Sequence, residues 1–268
     1  TQLQPINQKL YTKDLTKVIQ NHIIPLSSSS SSSSSHDGGN QFQVISTSEQ
    51  QNATLESTMT SQDGVNTYRI TGQLYRTTVD QVFDLLWNLE RSIALSGSLE
   101  AVDLLNEFET GEPLLMIADD ENAKNKNEEQ AEKKHVIQVI YHAHKSPGFM
   151  ISARDFLLIR TNVRLSDQRR CIATTSITHG SVGERPRFVR GHLHFSGYVL
   201  ERNKSDESVV NVTYVIKSDP RGSLPTWVLN MANNTLINKF VELQAHIDQM
   251  NKWVDVELTD VVCCEAIH

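Results

Sequence analysis

Residues 224–254, LPTWVLNMANNTLINKFVELQAHIDQMNKWV, decide how the rest of the chain must be arranged. Leu229, Ala232, Leu236, Phe240, Leu243, Ile247, Met250 and Val254 recur at steps of three and four, the spacing that puts side chains on one face of an α-helix. Ser223 offers an N-cap, and Pro225 stands early, where its missing N–H costs least. Most of a helix's stability in a protein comes from packing its apolar face, so this stripe needs a surface to lie on.

That surface has to be a sheet. Strand-like segments, rich in branched and aromatic residues, occupy 41–46, 53–60, 67–76, 102–109, 136–144, 152–165, 171–179, 188–201 and 208–219. Gly, Pro, Asn and charged residues separate them, and such short connections imply an antiparallel meander. Between the third and fourth, Val79, Val82, Phe83 and Leu86 make a helical stripe capped by Thr77 or Thr78, and a short helix over 89–95 follows. The fold class expected is α+β, a sheet gripping one long C-terminal helix. A strongly curved sheet of this kind leaves room for a ligand beneath the helix, and a filled core gives the same pattern.

Within the central strand, 154-RDFLLIRTNVRL-165, alternation places Arg154, Arg160 and Arg164 on one face with Phe156 and Leu158. This face is either wet or turned toward something that needs arginine.

The bulk properties narrow the function classes. With 268 residues, the chain suits one domain with tails. Its net charge of −7 and pI near 5.8 argue against nucleic acid as a partner. No run approaches the roughly 18 apolar residues of a membrane span. The start, TQLQPINQKL, has neither an initiator Met nor a secretory layout, and reads as a piece of a longer cytoplasmic protein. Cys171, Cys263 and Cys264 form no disulfide framework and fit a reducing compartment. The expected organisation is an N-terminal helix over 1–26 packing on the domain, a disordered Ser-rich insertion at 27–40, the domain itself at 41–255 with a charged loop at 119–134, and a tail at 256–268.

Two His-x-His pairs, His142/His144 and His192/His194, lack a third ligand at usable spacing, so no metal is expected. Ser, His and Asp occur without a nucleophile signature, and neither catalysis nor a cofactor is expected. Had the chain been an enzyme, His179 would be the first residue to test.

The ordered segments resemble the START family, the lipid-transfer domains related to steroidogenic acute regulatory protein. The resemblance runs from about Thr67 to Trp253. It rests on Tyr68 to Gly72 with the Val79–Trp87 stretch, Arg154-Asp155-Phe156 with Arg160, and Thr178-His179. It continues through Val189-Arg190-Gly191, Ser196 to Glu201 and Thr213-Tyr214-Val215, then Asp219 to Pro225, all in the family's order. The resemblance implies a helix-grip fold around a hydrophobic tunnel that holds one lipid, a phospholipid or a sterol, for intermembrane transfer or sensing. A non-transferring regulatory module is the alternative, and a grip-fold cyclase or hydrolase a more distant one.

It also implies that Arg160 faces the tunnel and that Tyr141 stands where relatives often place an acidic partner. Phe156, Leu158, Leu229, Ala232, Leu236 and Phe240 would line the wall or lid. Phe149, Met150 and Ile151 would form a gate loop in transient contact with a membrane surface, and the working unit would be a monomer. A tyrosine cannot neutralise Arg160. Another partner, water or an anionic group on the ligand must do so, and the last favours a phosphate-bearing lipid over a bare sterol. His142 and His144 are expected to face away from the tunnel, opposite in parity to Tyr141.

Overall fold

A computed structural model describes residues 8–28, 42–50, 52–58, 63–110 and 135–265. The Ser-rich insertion beyond Ser28 and the charged stretch at 119–134 lie outside the described residues.

Ten strands form one curved sheet: β1 (Phe42–Ser48), β2 (Ala53–Thr58), β3 (Thr67–Tyr75), β4 (Leu99–Thr110), β5 (His135–His144), β6 (Ala153–Ser166), β7 (Arg169–Ser176), β8 (Phe188–Arg190), β9 (His192–Arg202) and β10 (Val209–Asp219). Their order is β1-β2-β3-β10-β9-β7-β6-β5-β4, antiparallel throughout, with β8 beside β6 as a parallel outlier. The helices are α1 (Gln8–Val18), α2 (Ile24–Ser28), α3 (Val79–Trp87), α4 (Leu89–Ala94) and α5 (Thr226–Glu265), and a π-turn over Ile19–Ile23 joins the first two. The run expected as one strand over 188–201 is split at Gly191. A Cβ there would stand 2.4 Å from the Phe156 ring, so the chain passes too close to β6 for any side chain.

The chain leaves β3 mid-sheet, crosses on α3 and α4 to the far edge, and returns strand by strand until β10 pairs with β3 from Val209–Tyr75 to Lys217–Thr67. The crossover helices therefore lie over the same face that α5 later covers. Thr78 and Gln81 make a reciprocal capping box at the start of α3, and the Asn88 side chain accepts from Arg91 N at the start of α4.

Strand alternation gives the sheet two cores. On the outer face Tyr11, Leu15, Val18, Ile19 and Ile23 cover Ile137, Val139, Leu157 and Ile159. On the inner face Phe240, Leu243 and Ile247 of α5 pack with Val82 and Phe83 of α3 over Leu55, Ile70, Leu74 and Tyr214. Phe240 sits directly on Gly72, where a Cβ would come within 2.8 Å of its ring. Val228 and Ile237 are also buried, so the stripe of α5 is wider than the sequence spacing indicates.

Polar contacts pin the later part of α5 to the end of β3. Gln244 bonds both backbone groups of Tyr75, Asp248 pairs with Arg76 at 2.7 Å, and Asn251 donates to Arg76 O. The helix starts at Thr226, beyond Pro225, and continues to Glu265, through most of the stretch expected to be a tail. No Gly or Pro in 226–265 interrupts it.

Candidate ligand cavity

Between the inner face of β5, β6, β7, β9 and β10 and the helical layer lies a cavity of about 240 Å³. Its walls include Leu86, Leu95, Ile140, Ile172, Leu193 and Ile216. Phe156, Leu158 and Arg160 all line it from β6. The helix α5 contributes Lys239 to the wall, whereas Phe240 and Leu236 pack in the neighbouring apolar core. The side chains of Leu229 and Ala232 lie outside the described residues.

Tyr141 is not in the cavity. His144 opposes Arg154 across the β5–β6 hairpin, so residues of equal parity face each other, and Arg160 stands opposite Gln138. Tyr141 opposes Leu157 and projects from the outer face. It donates to Asp155 Oδ2 at 2.9 Å, and Asp155 holds Arg190 through two further 2.9 Å bonds. Burial, aided by that carboxylate, pushes the Tyr141 phenol up to about 12. The same parity turns His142 and His144 inward, against the sequence expectation, and both line the cavity.

Arg160 is balanced by protein groups. Its Nε donates to Gln138 Oε1 at 2.7 Å, and Gln138 in turn donates to Glu107 Oε2 at 2.5 Å on β4. Its two Nη groups donate to the carbonyls of Leu86 at 3.5 Å and Trp87 at 2.5 Å, at the electronegative end of α3. The guanidinium lies 4.3 Å from the Trp87 ring centre. Burial lowers its pKa to about 10, which leaves it charged.

The other arginines of β6 also hold the helical layer. Arg154 donates to the carbonyls of Pro220 and Arg221 just before α5. Arg164 reaches Asp80 in the first turn of α3 at 3.8 Å. Four residues of strand and nine of helix each span roughly 13 Å. Arg164 and Arg160 thus grip α3 at its two ends.

The remaining polar groups of the cavity are less well served. His142 Nε2 and Tyr198 Oη are shut off from solvent without a hydrogen-bond partner among the described residues. Burial, with the neighbouring charges of His144, Arg160 and Lys239, holds His142 down to about 3, and burial with Lys239 holds His144 down to about 4. Lys239 Nζ lies 5.6 and 5.1 Å from the ring centres of Tyr198 and Tyr214, which stack on one another at 4.3 Å. Sequence reading missed Lys239 because a charged residue beside Phe240 falls outside an apolar stripe. His179 lies in the loop after β7, where its Nδ1 accepts from Ser181 N.

The hairpin loop between β5 and β6 carries Phe149 and Met150 almost fully exposed, at 94% and 89%. Ile151 is half-buried. Gly148 abuts Trp227 of α5, and a Cβ there would lie 3.0 Å from the indole. Trp227 and Met231 are themselves about half exposed.

Residues 45–252 match the START domain family. Among solved structures, human StAR-related lipid transfer protein 5 superposes with a TM-score of 0.67 at 16% identity, over 91% of this chain and 99% of that one. Human STARD10 gives 0.58 at 16% identity, over 82% and 78%. A STAR-related lipid transfer protein from Xanthomonas axonopodis gives 0.52 at 17% identity, over 77% and 98%. At such identities the likeness is one of fold.

Proposed function

The chain belongs to the START domain family, and from that premise we infer that it binds one lipid in the inner cavity, as a monomer, and moves it between membranes. The observation that carries this reading is an apolar-walled cavity enclosed by β-strands on one side and by α3, α5 and the turn after α4 on the other. Burying a lipid's apolar part there replaces contact with the bilayer, at roughly 25 cal/mol per Å² removed from water. No catalytic step is part of the reading.

The cavity, at about 240 Å³, is below the ~300–1,000 Å³ of ordinary ligand pockets. Loading therefore requires the walls to part. The later half of α5 is fastened to β3 through Gln244, Asp248 and Asn251. Its first turns instead meet the 145–152 loop through Trp227 and Gly148. The gate belongs at that end. Phe149, Met150, Trp227 and Met231 supply it with an exposed apolar rim suited to contact with a membrane surface. No helix among the described residues is long and apolar enough to cross a membrane.

Native mass spectrometry of the purified chain, combined with extraction of lipid from vesicles, tests the reading. One lipid per chain is the expected result. A chain that carries none and extracts none defeats it.

A further inference from the structure

We propose that Lys239, His142 Nε2 and Tyr198 Oη form an anion subsite within the cavity, so that the bound lipid carries an acidic oxyanion headgroup, a carboxylate or a phosphate monoester. This deepens the lipid-binding reading and rests on it.

Three observations converge. The first concerns the two cavity cations. Arg160 is engaged by Gln138 and by the carbonyls of Leu86 and Trp87. Lys239 has no carboxylate partner among the described residues, and its ammonium rests against the rings of Tyr198 and Tyr214. A partly enclosed ammonium without a counter-ion attracts an anion, and weakly screened surroundings strengthen that attraction.

The second is the pair of unmet polar atoms. His142 Nε2 and Tyr198 Oη line the same cavity and are buried without partners. Native folds rarely leave such groups unsatisfied. A phenol O–H and an imidazole N–H both donate, and two donors beside an ammonium match the several lone pairs of an oxyanion.

The third is the local field. After burial, His142 is held neutral by His144, Arg160 and Lys239, and His144 by Lys239, so the groups facing this part of the cavity make it positive. The whole chain carries −7, which makes this a local device and not a general attraction for anions.

The cavity's size recommends single-chain probes. Oleate, 1-oleoyl lysophosphatidate and oleyl alcohol share one chain and differ in headgroup. Their affinities for the delipidated full chain are measured by titration calorimetry. We expect an acidic probe to bind about ten-fold or more tighter than the alcohol. Lys239→Met should bring the affinity ratio of that probe to the alcohol close to one, and Lys239→Arg should restore the preference. Tyr198→Phe should lower the affinity ratio of the acidic probe to the alcohol by a few-fold. Whichever acid binds tighter identifies the headgroup as carboxylate or phosphate. Equal binding of acid and alcohol by the wild type, or an acid preference that survives Lys239→Met, overturns the proposal. Binding of none of the three probes overturns the lipid-binding reading and this proposal together.

Discussion

Arg160 and Glu107 lie in one lateral row, two strands apart, and Gln138 joins them by accepting from the guanidinium and donating to the carboxylate. The row ends on the carbonyls of Leu86 and Trp87, so the arginine ties three strands to α3. Removing one partner of a buried charged network leaves the others unpaired. Arg160→Leu should therefore cost roughly 3–5 kcal/mol of stability in urea unfolding. Arg160→Lys should fail to restore it, because an ammonium cannot span the three acceptors. Lipid extraction by Arg160→Leu should fall only with the folded fraction.

Acid should weaken the fold through the cavity histidines. His142 and His144 stay neutral in the folded chain until about pH 3 and 4. In the unfolded chain they take up protons near pH 6.5. Between about pH 6.5 and 4 the unfolded state thus binds more protons, and stability rises with pH. Their contribution is complete above about 6.5 and is lost progressively as pH falls from there toward about 4 and 3. His22 and His192 are also depressed and add in the same direction. Replacing His142 and His144 together by Phe should flatten urea midpoints measured between pH 7 and 4.

The exposed rim separates membrane contact from folding. Phe149 and Met150 are nearly bare, so Phe149→Ser with Met150→Ser should shift stability by no more than about 0.5 kcal/mol. Extraction of lipid from vesicles should slow several-fold, while affinity for a lipid delivered in detergent-free monomeric form stays unchanged. Transfer kinetics against equilibrium titration reads the difference.

Gly72 controls the seating of α5. Gly72→Ala forces the added methyl against Phe240 and should cost about 1–3 kcal/mol. Phe240→Ala removes a fully buried ring and should cost about 3–5 kcal/mol. In the double variant the clash with the ring is gone and only the 3.0 Å approach to Ala53 remains, so the two losses should not add, and a double-mutant cycle in urea measures the coupling.

The fold was readable because its two periodicities are plain: steps of three and four in α5, and steps of two in β5, β6 and β10. The cavity was less readable. Which residue faces Arg160 depends on the register of the β5–β6 hairpin, and a miscount of three, an odd number that also flips the face, puts Tyr141 where Gln138 belongs. The same miscount turned His142 and His144 outward. Lys239 escaped because an apolar stripe is a rule for packed helices, and at this level α5 covers a cavity. The acid balancing Arg160 also escaped, since Glu107 lies on a strand more distant than the neighbour searched.

The pairing of β3 with β10 sets the order in which this molecule can be made. These strands are neighbours in the sheet, yet about half of the described chain lies between them. During synthesis, β3 waits with an open edge until residues 209–219 emerge, and closing so large a loop is slow. An edge left open that long is a pairing site for another chain. The cavity wall includes Tyr214 and Ile216 of β10, so a ligand can be held only after this late strand is in place.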